Sequence, residues 1–371
     1  MVNEDKAVRY QRLRSRAVGL GWTMAALFVV LMFITGGAVA LRSWVVERTG
    51  DVTVLSVALY VAIFSLLLDL VALPSAFYQG VTLERRYRVS TQSNAHWWRD
   101  RFQSSAAGLL LRVLEAVVLT AILRWASRYW WPLSAVVFSA LLVGLARVAP
   151  VRLMPLFYRF RPLDRPALAG RLLALAERAR AGVVDVFEWQ LSDRTGKAQA
   201  VLVGLGGSRR ILLSDTLLAE YSDDEIEVIL AHELAHHVNG DVRVGLIVTS
   251  LRIAAGFFVA HVFMTLWAPA FGLSGLADLA ALPLIGAGVE VGMRALSPLA
   301  HALSRIHERR ADRYALEMTR NPAAFVSAMK RLSAQNLIVE TPSRFSTFYR
   351  SHPSTSARIA AARDWAADHT R

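Results

Sequence analysis

Long apolar runs alternate along the chain with loops crowded by arginine. Six stretches have the length and composition of membrane spans, for which about 20 apolar residues suffice. Residues 17–41 and 130–146 carry no charge. Residues 52–77 are interrupted only by Asp69 and Pro74. Residues 104–123 carry Arg112 and Glu115, residues 245–268 carry Arg252 and His261, and residues 276–299 carry Asp278, Glu290 and Arg294. The pattern changes between the fourth and fifth runs. Residues 166–181 place Leu168, Leu172, Leu173, Leu175 and Ala176 at helical spacing among charged residues, which predicts an amphipathic helix. Strand-like runs follow at 184–191, 198–203 and 210–213. Gly204-Leu205-Gly206-Gly207 reads as a turn between the last two. It lacks the spacing and the following helix of a dinucleotide-binding loop. A well-delimited helix comes next. Ser222 and Glu225 make a capping box, Asp223 and Asp224 fill the first turn, and Asn239-Gly240 supplies the stop.

The composition fits this division. Hydrophobic residues make up 54% of the chain while the formal charge is +13, so the charge must be concentrated in the loops. It follows an alternating pattern. Lys6, Arg9, Arg12, Arg14 and Arg16 precede the first run, and Arg85, Arg86, Arg88, Arg99 and Arg101 follow the second. Arg147, Arg152, Arg159, Arg161 and Arg165 follow the fourth, and Arg305, Arg309, Arg310 and Arg313 follow the sixth. The intervening loops are poorer, and residues 269–275 have no charge. The positive-inside rule then puts both termini and residues 147–242 in the cytoplasm. A nucleic-acid footprint is a poor alternative: there are three lysines, no aromatic-interleaved basic patch and no nucleic-acid motif. Ala38-Val39-Ala40 has the form of a signal-cleavage site, but its apolar stretch is too long for a signal peptide and further spans follow, so it reads as an anchor. With no cysteine, disulfides, thiolate ligands and thiol nucleophiles are excluded. Within the spans, Arg112 with Glu115 and Glu290 with Arg294 are spaced to pair along a helix. So many intramembrane charges also suit a water-filled interior.

The capped helix carries the chemistry. It contains His232-Glu233-Leu234-Ala235-His236, an H-E-x-x-H motif. Positions i and i+4 share a helix face, so both imidazoles can reach one zinc ion. Glu233 lies beside that face, where a carboxylate can act as general base toward water activated by the ion. His237 is turned about 100° off the ligand face. A third ligand is needed, and the candidates lie in Ser304-Arg305-Ile306-His307-Glu308-Arg309-Arg310-Ala311-Asp312. Glu308 and Asp312 share a helix face. One can bind zinc while the other accepts a hydrogen bond from a ligand imidazole. His307 competes for the ligand role, and a charged surface helix with Arg–Glu pairs is the simpler reading of the spacing alone.

Ser304-Arg305, Glu308 and Ala311-Asp312, downstream of H-E-x-x-H, resemble the M48 family of membrane zinc metalloproteases, which holds the CAAX prenyl proteases and the HtpX-type heat-shock proteases. The likeness covers most of the chain. It extends through residues 155–163, Arg194-Thr195-Gly196-Lys197-Ala198-Gln199-Ala200, Gly204-Leu205-Gly206, residues 210–218 and Ser351-His352-Pro353-Ser354-Thr355-Ser356-Ala357-Arg358-Ile359. The resemblance implies His232, His236 and Glu308 as ligands of one zinc ion per chain, and Glu233 as general base. It makes Asp312 the carboxylate behind a ligand and places His352 and Arg358 in the cleft. It also implies a substrate strand including Ala198, Gln199, Ala200 and Val201. Here Gln199-Ala200-Val201 replaces the family's usual Asn-Ala-Tyr. The prenyl proteases have seven spans against six counted here, the first being the one absent. His237-Val238-Asn239-Gly240-Asp241 is closer to the HtpX type.

These readings give a mainly α, multi-pass membrane protein of about six transmembrane helices with a small α+β zincin-type (gluzincin) catalytic domain on the cytoplasmic side. Residues 1–151 form a membrane domain of four spans and 152–242 the first catalytic part. Residues 243–299 form a transmembrane hairpin, and 300–371 the second catalytic part. The expected activity is zinc-dependent endopeptidase action on membrane proteins or peptides, with or without lipid modification. The partners are substrate and lipid bilayer, with no nucleic acid. The rival is an inactive zinc-fold scaffold or transporter; an intact Glu233 argues against it, because a structural site needs no base.

Overall fold

A computed structural model describes residues 2–51, 53–204, 209–341, 348 and 350–369. Leu205, Gly206 and Gly207 of the expected turn lie outside the described residues. The first helix, α1 (Val2–Ile34), carries the N-terminal basic residues and the apolar run on one continuous rod. It stops earlier than the apolar pattern implies. Gly36 adopts φ 71°, the left-handed conformation that glycine tolerates, and the chain restarts as α2 (Gly37–Thr49). The expected first span over 17–41 is therefore split after Ile34. α3 (Val54–Phe77) opens with a capping box between Thr53 and Ser56. It runs through a π-helical turn into the short α4 (Glu84–Arg86). α5 (Asn94–Trp125) and α6 (Trp130–Val148) follow, and a second π turn leads to α7 (Met154–Phe157).

A four-stranded sheet comes next, formed by β1 (Phe160–Pro162), β2 (Val183–Trp189), β3 (Ala200–Val203) and β4 (Arg209–Ser214). Its order is β1-β2-β4-β3, with β2 and β4 parallel and the outer pairs antiparallel. The three expected strands appear within two residues of their predicted limits. β1 has no alternation to announce it; it stands at an edge, where its proline needs no ladder partner. One sheet face, through Val186, Leu202, Ile211 and Leu213, packs on α8 (Pro166–Arg178) and on α10 (Asp223–Val238). The short α9 (Asp215–Glu220) links β4 to α10.

Beyond α10 the chain forms α11 (Asp241–Trp267), α12 (Ala281–Ala295), α13 (Ser297–Thr319), α14 (Pro322–Gln335) and a C-terminal helix, Thr355–His369. Among the described residues, five helical stretches are long and apolar enough to cross a membrane: Lys6–Ile34, Val54–Arg86, Asn94–Trp125, Ser127–Phe157 and Asp241–Phe271. The sixth expected span, 276–299, is not one helix. Residues 276–280 are non-helical, and the 15 residues of α12 rise about 22 Å, short of the ~30 Å apolar core of a bilayer. α12 packs closely along α11. A Cβ on Gly292 would lie 2.7 Å from the Gly256 Cα, and one on Gly288 would lie 2.8 Å from the Ala260 Cα.

Several charges of the apolar segments pair with each other or with a loop residue. Glu290 and Arg294 pair as their spacing predicts. Arg112 pairs with Asp69 at 3.4 Å, not with Glu115, because α3 and α5 are neighbours. Asp278 lies in the turn ahead of α12, not inside a span. Its fully buried carboxylate meets Arg42 at 2.5 Å and accepts the Ala280 and Ser274 N–H groups.

Candidate metal centre

The site begins with the packing of α10. The Ser222 hydroxyl accepts the Glu225 N–H, and the Glu225 carboxylate accepts the Ser222 N–H at 2.9 Å. The same carboxylate takes hydrogen bonds from Ser327 at 2.6 Å and Arg331 at 3.1 Å, tying the helix start to α14. Ile226, Leu230 and Leu234 are fully buried and fix the rotation of α10, so that His232 and His236 face α13. Ala311 and Ala315 of α13 are fully buried in turn; their small side chains let the two helices approach.

His232, His236 and Glu308 offer donor atoms that all lie within 4.8 Å of one another. His232 Nε2 is 3.4 Å from Glu308 Oε2, and His236 Nε2 is 3.6 Å from Glu308 Oε1. Ligands at about 2.0–2.1 Å around a tetrahedral ion would stand roughly 3.3–3.4 Å apart, so the spacing fits a zinc-sized cation. A second observation agrees. Glu308 Oε2 is buried with no well-aligned hydrogen bond, although His352 Nδ1 at 2.9 Å and His232 Nε2 at 3.4 Å crowd it. A buried carboxylate oxygen crowded by imidazoles but poorly aligned with them has a lone pair that a cation can take.

Both imidazoles are held from behind. His232 Nδ1 lies 3.0 Å from Asp312 Oδ1, and His236 Nδ1 lies 3.0 Å from Asp241 Oδ2. A carboxylate on Nδ1 keeps the proton there and leaves the Nε2 lone pair for the metal. Asp312 stands where the sequence suggested. Asp241 was missed; it is the first residue of α11, just past the left-handed Gly240, and only the turn in the chain brings it back to His236. Arg310 pairs with Asp241 from the other side. His307 Nδ1 is 3.7 Å from Asp241 Oδ1, so His307 faces this carboxylate and not the three-donor cluster.

The C-terminal segment also arrives at the site. The Ser354 hydroxyl accepts the Ala357 N–H and caps the helix that carries Arg358. The Arg358 guanidinium forks onto Asp312, with Nε at 2.8 Å and Nη2 at 2.5 Å, and Nη2 lies 3.3 Å from His232 Nδ1. Arg358 is thus spent on the carboxylate behind His232. His352 is 64% exposed along its side chain, and its Nδ1 comes within 2.9 Å of Glu308 Oε2.

The electrostatics follow from this crowding. Burial works to lower the pKa of His232, but hydrogen bonds to Asp312 and Glu308 outweigh it and bring the group up to about 9. Burial would raise Glu308, yet His232 and His352 hold it far below the ordinary carboxylate range. Asp312 is likewise held low against burial, chiefly by Arg358. Burial raises Glu233, only partly offset by the neighbouring imidazoles. No described residue hydrogen-bonds the Glu233 carboxylate.

β3 is the sheet edge beside the site, and His237 of α10 reaches it: His237 Nε2 lies 3.1 Å from the Leu202 carbonyl oxygen. Of the expected substrate strand, Ala200 and Val201 belong to β3, whereas Ala198 and Gln199 precede it.

Comparison with known proteins gives consistent results. The model of Peptidase family M48 matches residues 162–366. That of the CAAX prenyl protease N-terminal region, described as five membrane helices, matches residues 3–159, where α1, α2, α3, α5 and α6 lie. The chain is 30% identical to "Uncharacterized metalloprotease YhfN" of Bacillus subtilis (strain 168) across 95% of this chain and 84% of the relative. It is 26% identical to "CAAX prenyl protease 1" of Saccharomyces cerevisiae across 81% of this chain and 71% of the relative. The crystal structure of S. mikatae Ste24p superposes with a TM-score of 0.82 at 22% identity, covering 97% of this chain and 88% of that one. This last likeness shows a shared fold.

Proposed function

Because this chain belongs to peptidase family M48 and is a membrane metalloendopeptidase, we propose that it cleaves peptide bonds at the centre formed by His232, His236 and Glu308. Zinc is the metal that suits two imidazoles and a carboxylate at this spacing. When bound, zinc would activate water and polarise the scissile carbonyl. Glu233 takes a proton from the attacking water and passes it to the leaving amine; burial raises its pKa toward the working range, which suits a group that must both accept and release. His352, exposed beside Glu308, is a donor for the oxyanion that develops on the carbonyl oxygen. Arg358 acts through Asp312, and Asp312 and Asp241 hold the two ligands in register. The substrate lies extended along β3 and adds to the sheet edge.

The catalytic unit is then built from 152–242 and 300–371, with membrane helix α11 and the shorter α12 packed against it between them, and the arginine-rich loops put the unit and both termini on the cytoplasmic side. Substrates are membrane-associated proteins or peptides. The name of the yeast relative points to prenylated ones. The observation that carries this reading is the convergence of His232, His236 and Glu308 donor atoms within 4.8 Å of one another, each imidazole backed by a carboxylate on Nδ1. Metal analysis with a peptide-cleavage assay tests it. Purified protein should hold about one zinc per chain, and Glu233→Gln should keep the metal and lose cleavage by at least ~10²-fold. Unchanged cleavage by Glu233→Gln would sink the mechanism.

A further inference from the structure

The free edge of β3 has unequal ends. The Ser214 N–H donates to the Gln199 carbonyl at 2.9 Å, and the Gln199 N–H donates to the Ser214 hydroxyl at 2.9 Å. Gln199 therefore turns its backbone polar groups toward β4. Alternation along a strand gives Val201 and Val203 the same orientation. Ala198, Ala200 and Leu202 must turn theirs to the outer edge. Two contacts bear this out. His237 Nε2 reaches the Leu202 carbonyl at 3.1 Å. The Asn336 side-chain amide meets both backbone groups of Ala198, accepting its N–H and donating to its carbonyl, each at 3.2 Å. A primary amide offers the same donor and acceptor pair as a strand residue. Asn336 thus occupies Ala198 as the next strand would.

The amide is firmly seated. Asn336 follows the last residue of α14, and the neighbouring Leu337 is 5% exposed at φ 50°. The Leu337 carbonyl accepts a hydrogen bond from Gln11 of α1 at 2.9 Å. Gln335 holds the Gly196 carbonyl at 2.8 Å. Ala198 itself is 2% exposed. Among the described residues, the outward groups left without a hydrogen bond on this edge are the Ala200 N–H, the Ala200 carbonyl and the Leu202 N–H.

We propose that Asn336 is a specificity-determining residue that ends the substrate-binding edge: its amide closes Ala198, so a bound peptide pairs with Ala200 and Leu202 and is turned away beyond them. This rests on the reading that the substrate adds to β3. The edge accepts one substrate N–H, at the Ala200 carbonyl, because the Leu202 and Ala198 carbonyls are taken. Pairing two residues further toward Ala198 requires displacement of the amide.

A series of peptide substrates with one backbone N-methyl group moved along the chain tests this, using the full-length protein in membranes or detergent. For wild type, one position should lose about threefold to tenfold in kcat/KM, the worth of one hydrogen bond. In Asn336→Ala, a second sensitive position should appear two residues away on the Ala198 side. Asn336→Asp, which can keep the Ala198 N–H and sets a carboxylate oxygen against the Ala198 carbonyl, still blocks Ala198 and should keep the single wild-type position. Metal content should match wild type in both. An Asn336→Ala profile identical to wild type overturns the role of Asn336 while leaving edge addition intact. A wild-type profile with no sensitive position overturns edge addition and this inference with it. If neither variant folds, wild type alone decides. Lengthening the peptide past the residue that meets Ala200 should leave KM within about twofold, and a steady fall in KM over the next two residues would overturn the proposal.

Discussion

Two carboxylates behind two histidines govern how this centre exchanges protons for metal. In the metal-free protein His232 holds a proton up to about pH 9, and a ligand nitrogen must give up its proton to bind. Below that pH the metal competes with the proton, and above it the competition ends. Apparent zinc affinity should therefore rise about tenfold per pH unit between pH 7 and 9 and level off above. Competition with a chelator of known pH dependence reads this directly, and a flat profile over that window would contradict it. Asp312→Ala and Asp241→Ala should each weaken the metal about 10–100-fold, as losing the group behind a ligand does. Glu308→Ala should cost more and His307→Ala almost nothing. The sequence already held much of this site. His232, Glu233, His236, Glu308 and Asp312 all sit on helices whose period is legible. Asp241 was not, because it reaches His236 across a left-handed glycine, where helical spacing gives no guide. Nor was the fork of Arg358 on Asp312, a contact between distant segments that no local pattern encodes.

At the scale of elements, legibility followed how locally each is determined. α10 was readable end to end because Ser222, Glu225 and Gly240 mark its limits chemically. β1 was not, since three residues with a proline become a strand only by pairing with β2. The sixth apolar run misled, because hydropathy counts residues and does not register a turn; residues 276–280 form one around Asp278. What holds α12 instead is proximity to α11. Gly292→Val would force a side chain into the Gly256 backbone, where nothing flexible can yield. Overpacking of this kind costs about 1–3 kcal/mol. It should lower the thermal midpoint in detergent, with metal loss following, whereas Gly286→Val, at a position with open space, should be tolerated.

For the whole molecule, the metal centre constrains topology more tightly than any span count. His232 and His236 precede α11, and Glu308 follows α12, yet their donor atoms meet. The chain must leave and return to the same face, whatever the length of α12. Cysteine labelling in this cysteine-free protein should place both termini and Asp215 on the cytoplasmic side and Gly272 on the opposite one. Termini on opposite faces would mean that one N-terminal helix does not cross. A ribosome making this chain completes both histidines well before Glu308, and the carboxylate that fixes His236 is itself the opening residue of membrane helix α11. A nascent polypeptide that has not reached Glu308 therefore carries the motif without the third donor. The three-donor cluster is complete only when α11 and α12 have folded back on each other and brought Glu308 to the two histidines.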